Sequence, residues 1–289
     1  MEQTRLLDKT PLSFTYDLLC SKTDQEIVTN FSWVMVGLIL VTIVWNLLGT
    51  VPYGKATVST RGNKEGSKGL SSSWRFWEYP ISSRFTWRFG FLPAVIVPWV
   101  IILFTPTPYL YNVTNLAGLM IYYLHYFNRS VIYPSRISDH ATPCPAWFIL
   151  GPLIVTTVHT FYQVHHLANV HKPMAVSSLT FVAIGMSILG AWLNTRHDWI
   201  LTQLRARGKG YQIPEGSLFE YVSCPNYFGE CLEWWGFALV TGGGRPQVLF
   251  AIFSTVFLGF RARFTRKWYH AKFGAKYPRE RKAMIPFVY

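Results

Sequence analysis

Charge is scarce in this chain, and acidic charge most of all. Only 14% of its 289 residues are charged, with 14 carboxylates against 27 basic residues. A water-soluble globular domain carries roughly a quarter charged residues, so that class is disfavoured. Cysteine is equally thin. Cys20, Cys144, Cys224 and Cys231 are scattered and form neither a disulfide framework nor a C-x-x-C metal signature. Cys224 and Cys231 fall about two helical turns apart, too far to bridge, and read as core-filling thiols. There is no G-x-G-x-x-G after a strand and no G-x-x-x-x-G-K-[ST], so a nucleotide would need a site of another kind. His159, His165, His166 and His171 lack the spacing of H-E-x-x-H and other short zinc patterns. They read as interfacial histidines, and no metal is expected. No repeat or low-complexity tract occurs. Residues 1–30 are polar and of mixed charge, without the basic-then-apolar design of a cleaved signal peptide.

What is present is apolar. Half the residues are hydrophobic and 17% are aromatic. Apolar runs at 31–50, 89–105, 111–127, 146–163, 175–195, 218–241 and 246–262 approach or exceed bilayer-spanning length. The "TGGG" at 241–244 and Pro246 separate the last two. The expected architecture is all-α: a polytopic membrane protein with seven transmembrane helices. Residues 1–30 form a polar N-terminal segment and 31–289 one membrane-embedded domain. Seven spans put 22 of the 27 basic residues on one face. Cytosolic loops hold the Lys and Arg excess, so the N-terminus is placed outside or in a lumen and the C-terminus in the cytosol. The net charge of +13 then belongs to a rim facing anionic lipid. No aromatic-basic module on a soluble domain supports nucleic-acid binding, and no obligate protein partner is evident.

Polar groups at membrane depth are expensive when unpaired, so their placement is informative. Pro225 suits a first helical turn and Gly242 to Gly244 an end. Within that helix Asn226, Glu230 and Glu233 share one stripe at i, i+4 and i+7. The stripe is either a structural seam between helices or a ligand-binding face, and three such groups favour the face. Asn194, Asp198 and Arg205 share a face if span five continues past the membrane. Tyr122, Tyr126 and Arg129 end span three, and Arg261, Thr265 and Tyr269 lie along the tail. Taken singly, each of these is an ordinary helix end, tyrosine belt or lipid contact. If they converge, they build a cationic, hydrogen-bonding cup suited to a phosphate-bearing cofactor. Asn112 opens an N-V-T sequon in a short loop, a poor place for a glycan.

Longer segments carry a resemblance. "YQIPEGSLFEYVSCPNYFGECLEWWGFALVT" and the terminal "KAMIPFVY", with "YGKAT", "WEYP", "LHYFNRS" and the N-x-x-x-D-x-I-L-x-Q-L-R of 194–205, resemble the steroid 5α-reductase family over roughly residues 50–289. The resemblance implies a seven-helix enzyme using NADPH to reduce the Δ4 double bond of 3-oxo steroids. It implies Arg129, Arg136, Asn194, Asp198, Arg205, Tyr211, Asn226 and Arg261 as cofactor contacts, with Glu230 and Tyr269 at the nicotinamide end. Glu78 and Tyr126 match the pair that meets the steroid 3-oxo group, and Trp77, standing where Gln is frequent, lies beside them. Thr265 and Gln212 also depart from the family pattern. The implied partners are a steroid or sterol-like lipid and the membrane itself, that of the endoplasmic reticulum in a eukaryote or the inner membrane in a bacterium. A very-long-chain 2,3-enoyl-CoA reductase is the nearest alternative, because "SCPNY" is similar in both groups. A non-catalytic sterol-binding protein is more distant, and a prenylcysteine-type methyltransferase lacks its R-H-P-x-Y pattern here.

Overall fold

The computed structural model describes residues 24–48, 79–138, 141, 143–172, 174–207 and 210–289. Trp77 and Glu78 lie outside them. Helix α1 (Asp24–Leu48) comes first. A two-residue strand β1 (Pro80–Ile81) precedes α2 (Ser83–Phe91) and α3 (Pro93–Phe104). Helix α4 (Val113–Phe127) runs through a π-helical turn, Asn128–Ile132, into the short α5 (Tyr133–Arg136). Strand β2 (Cys144–Pro145) pairs antiparallel with β1, Pro80 opposite Pro145. Then follow α6 (Leu150–His165), the long α7 (Ser178–Ala206), α8 (Pro225–Val240) and α9 (Arg245–Phe273).

Among the described residues five segments are long and apolar enough to cross a membrane: Glu26–Leu47, Ser83–Phe104, Ala146–Val170, Ser178–Ala206 and Arg245–Lys276. That is the pattern of a multi-pass membrane protein. The two remaining expected spans are α4 and α8, of 15 and 16 residues, only about 24 Å at 1.5 Å per residue. Both fall short of a full bilayer span. Several expected boundaries shift: those expected to start at 31 and 89 start at Asp24 and Ser83. The helix expected from 218 starts at Pro225, because Ser217–Glu220 is a 3-10 turn. Those expected to end at 195 and 262 continue to Ala206 and Phe273, carrying their polar faces beyond the apolar run.

Helix α8 packs against α4, α7 and α9, and α9 also holds α1. The pair α7–α8 approaches most closely. Ala183, Ser187, Gly190 and Asn194 form a small-residue stripe on α7 against Gly229, Glu233 and Gly236 on α8, the kind of face that lets helix backbones touch. A Cβ on Gly229 would sit 2.7 Å from the Gly190 carbonyl oxygen and 2.8 Å from the Leu193 Cβ. Gly229→Val is therefore expected to cost about 3 kcal/mol, the upper end of ordinary overpacking. The check is loss of the monodisperse, detergent-soluble fraction and a fall in melting temperature. Aromatic packing fills the bundle around Tyr122, Tyr126, Tyr162, Trp234, Phe237 and Phe250.

Several expectations change character. Asn112 is an N-cap: its Oδ1 accepts from the backbone N–H of Thr114 at 2.8 Å and of Asn115 at 3.3 Å. Cys224 and Cys231 are buried, Cys144 is half-buried, and none of the three is in a disulfide. His159, His165 and His166 were expected at the interface and are buried instead. Tyr122 on α4 meets His159 and Gln247 on α9 meets His166, contacts that a single-helix pattern does not reveal. Among the described residues no group of three or more His, Cys, Asp or Glu side chains is arranged to hold a metal.

The chain's last stretch closes over the start of α8. The backbone N–H groups of Ser223 and Cys224 donate to the carbonyls of Lys282 and Ala283, at 2.8 and 3.1 Å. Buried Arg281 donates to the Pro214 carbonyl at 2.8 Å, and Arg266 donates to the Arg281 carbonyl at 2.6 Å. Tyr277 donates to Ser223 Oγ at 2.8 Å, and burial raises its phenol above the usual value, keeping it a neutral donor. Arg281→Ala is expected to cost about 2 kcal/mol, the loss of a charge-assisted hydrogen bond in a buried place, read as a lower melting temperature.

Candidate active site

Three helices bring the predicted polar residues together. The π-turn after α4 contributes Arg129, α7 contributes Asn194 and Asp198, and α8 contributes Asn226 and Glu230. Widened helical turns recur at functional positions, and this one aims a guanidinium into the bundle. Arg129 Nη1 donates to Asp198 Oδ2 at 2.6 Å, and its Nη2 is bonded to Glu230 Oε2. Asn226 Nδ2 donates to Asp198 Oδ1 at 2.8 Å. Asn194 Nδ2 donates to the Asn226 carbonyl at 2.9 Å and to Glu230 Oε2 at 3.2 Å. All five are buried or nearly so. One cation against two carboxylates leaves the cluster one negative charge in a dry setting, stabilised by the amide donors.

Glu233, expected on the same ligand face, has a different partner. His125, on α4, meets its Oε2 at 2.9 Å, and both side chains are buried. The other ring nitrogen of His125 is 3.8 Å from Glu230 Oε1, too far for a hydrogen bond. Glu233 thus belongs to the seam and Glu230 to the open side: Glu230 has 16% of its side chain exposed, against 7% and 8% for Arg129 and Asp198. The stripe is both a seam and a face, which its spacing left undecided.

Tyr126 is buried one helical turn before Arg129. Its ring packs against Tyr122 at 4.8 Å, His125 at 5.2 Å, Trp234 at 5.9 Å and Phe91 at 6.1 Å. A second group forms a rim at the helix ends. Tyr269 stacks on Tyr277 at 5.0 Å and lies within electrostatic reach of exposed Arg205 and of Tyr211. Tyr211 meets Trp268 edge-on at 4.8 Å. Arg261 donates to the Tyr227 hydroxyl at 3.4 Å, next along the chain from Asn226. Tyr269 therefore falls with the rim, while Glu230 falls with the buried cluster. Arg136 is exposed at the end of α5. The neighbour of Glu78, Tyr79, is described: its carbonyl accepts from Ala146 at 2.9 Å.

This donor set suits a nicotinamide dinucleotide. A carboxamide needs one acceptor and one donor, and Glu230 beside Asn194 and Asn226 provides both kinds. Arg205 and Arg261 stand at the rim, where guanidinium groups could meet phosphates, whereas Arg129 is held between Asp198 and Glu230. Pattern reading missed His125, the small-residue stripe and the polar groups behind Tyr126. The stripe had a signal, since 183, 187, 190 and 194 recur at helical spacing.

The family model described as 3-oxo-5-alpha-steroid 4-dehydrogenase matches residues 140–289. The chain is 35% identical to a steroid 5-alpha-reductase of Gossypium hirsutum over 222 residues, covering 74% of this chain and 84% of that one. It is 35% identical to 3-oxo-5-alpha-steroid 4-dehydrogenase 2 of Homo sapiens over 213 residues, covering 72% and 82%. A steroid 5-alpha-reductase of Solanum lycopersicum is 38% identical over 190 residues, covering 62% and 72%. With a family match over half its length, and relatives this similar spanning most of both chains, the protein belongs to the 3-oxo-5-alpha-steroid 4-dehydrogenase family and is an oxidoreductase acting on a CH–CH bond.

Proposed function

We propose that this chain reduces the Δ4 double bond of 3-oxo-Δ4 steroids to 5α-steroids with NADPH. It does so within seven membrane helices, the N-terminus outside or lumenal and the C-terminus cytosolic. The supporting observation is the buried meeting of Arg129, Asp198, Glu230, Asn194 and Asn226 one turn from Tyr126. The names of the relatives point to the same substrate class. The basic residues on one face support the orientation.

Bound NADPH supplies a hydride, which the reaction delivers to C5. Glu230, Asn194 and Asn226 would hold its carboxamide. Arg205, Arg261 and Tyr211 hold the phosphate-bearing end at the rim, with Tyr269 beside them. As C5 accepts the hydride, the double-bond electrons move toward the carbonyl and negative charge grows on the 3-oxo oxygen. A hydrogen-bond donor placed there in a dry site stabilises that charge strongly. Tyr126 is that donor. Glu78, which matches the family's second donor, would act as a neutral carboxyl. A proton taken up at C4 completes the product. The aromatic lining keeps water away and accepts a flat apolar substrate arriving from lipid.

The test is NADPH oxidation by the purified protein in detergent or nanodiscs. It is expected to depend on an added 3-oxo-Δ4 steroid and to yield a 5α product identified by mass spectrometry and chromatography against the 5β isomer. Oxidation driven by a trans-2-enoyl-CoA and not by the steroid would move the assignment to fatty-acid elongation.

A further inference from the structure

Residues 284–289 fold into a loop closed on itself, and the reaction as described gives that loop no part. The backbone N–H groups of Met284 and Ile285 donate to the Tyr289 backbone oxygen, each at 2.7 Å. Those of Val288 and Tyr289 donate to the Ile285 carbonyl, at 3.2 and 3.0 Å. Helix α9 fixes the level at which the loop sits. The Tyr289 hydroxyl donates to the Gly259 carbonyl at 3.3 Å. Side-chain atoms of Tyr289 and Met284 lie 3.8 and 3.9 Å from where a Cβ on Gly259 would stand. Gly259 and Phe260 end the apolar stretch of α9, and Arg261, Arg263, Arg266 and Lys267 follow. The loop is therefore held where the apolar run gives way to charge, which in a spanning helix is the boundary between membrane and water.

At that level the loop turns apolar groups outward. Phe287 is 75% exposed and Val288 73%, and the Phe287 ring lies 5.2 Å from that of Tyr221, which is exposed as well. Phe287 also has a φ of 66°, the left-handed region that bulky residues avoid. A glycine adopts that conformation without strain, so the backbone alone does not account for a phenyl ring there. Strained positions of this kind collect at functional sites.

We propose that the loop is an interfacial anchor. Phe287 and Val288, beside Tyr221, insert between the headgroups and acyl chains of the leaflet at the C-terminal end of α9. Aromatic rings favour that zone, and a few apolar side chains buried there hold a surface segment to lipid without spanning it. Lys276, Arg279 and Lys282 are exposed on the same stretch of chain, with long stems suited to reaching headgroup phosphates. The anchor adjoins the closure described above. Lys282 and Ala283 receive the hydrogen bonds of Ser223 and Cys224, so lipid contact at Phe287 steadies the entry to α8.

Spin-label depth measurement on the full chain, in phosphatidylcholine nanodiscs, tests this. Cys224 and Cys231 are buried, and Cys20→Ser and Cys144→Ser complete the background in which Phe287→Cys takes a nitroxide. Lys276→Cys, on an exposed basic position, is the water reference. Ile188→Cys, 64% exposed within the apolar part of α7, is the lipid reference. The label at 287 is expected to meet a water-soluble nickel chelate less than the label at 276 and oxygen more, shifting toward the values at 188. Val288→Cys is expected to show the same shift, and it carries the measurement should Phe287→Cys not fold. Collision rates equal to those at 276 overturn the proposal, because the loop then lies in water. Low access to both reagents overturns it as well, because protein then covers the loop, whether from this chain or from a second copy.

Discussion

Arg129→Leu is expected to abolish steroid turnover and to destabilise the protein by about 3–5 kcal/mol, the usual consequence of breaking a buried ion pair by removing one partner. Two carboxylates would remain, Asp198 and Glu230, on neighbouring helices with no cation between them. Like charges in a low dielectric repel strongly, and the α7–α8 pair is too close at Gly190 and Gly229 to relax by sliding apart. The measurement is the melting temperature in detergent together with NADPH-binding fluorescence. Adding Asp198→Asn and Glu230→Gln to Arg129→Leu is expected to recover much of the stability and none of the activity. Recovered turnover in that triple variant would count against Glu230 as the carboxamide ligand. Arg129→Lys is expected to keep the charge and lose most of the function, because a point charge does not bridge two carboxylates as a planar guanidinium does.

Tyr126→Phe is the second large effect. Removal of one hydrogen-bond donor from a site where oxyanion charge develops lowers kcat about 100- to 1,000-fold, and a loss in that range is expected here. The ring remains to pack against Trp234 and Phe91, so folding and NADPH binding are expected to survive. Glu78→Gln is the companion variant, since an amide still donates but with different strength and geometry. Steady-state kinetics with a steroid, set beside direct NADPH titration, separates the outcomes. Unchanged turnover in both variants would end the proposed roles of these two residues.

Much of this was legible in the sequence, and the misses share one cause. Asn194, Asp198, Asn226 and Glu230 were found because each pair shares a helical face, and periodicity reports faces. Which faces meet is a tertiary fact. Glu233 looked equivalent to Glu230 along α8, and only the position of His125 on α4 separates their roles. The outer histidines looked interfacial because Tyr122, the partner of His159, and Gln247, the partner of His166, lie 37 and 81 positions away on other helices. Helices α7 and α9 ran past their expected ends because the apolar run stops where the membrane does, whereas the backbone ladder continues. Tyr269 was grouped with Glu230 through resemblance, and the fold sets it among the aromatic residues of the rim.

The closure of residues 281–284 over the start of α8 carries a consequence for biosynthesis. Val222 bridges to Lys282, so the turn that introduces Asn226 and Glu230 waits for a strand the ribosome has yet to make. The long apolar helices are free to insert in order as they emerge. The start of α8 is secured only after the last of them, α9, has been translated. Insertion and maturation are therefore separate events, and a folding defect in the terminal segment would strand a fully inserted but inert protein in the bilayer.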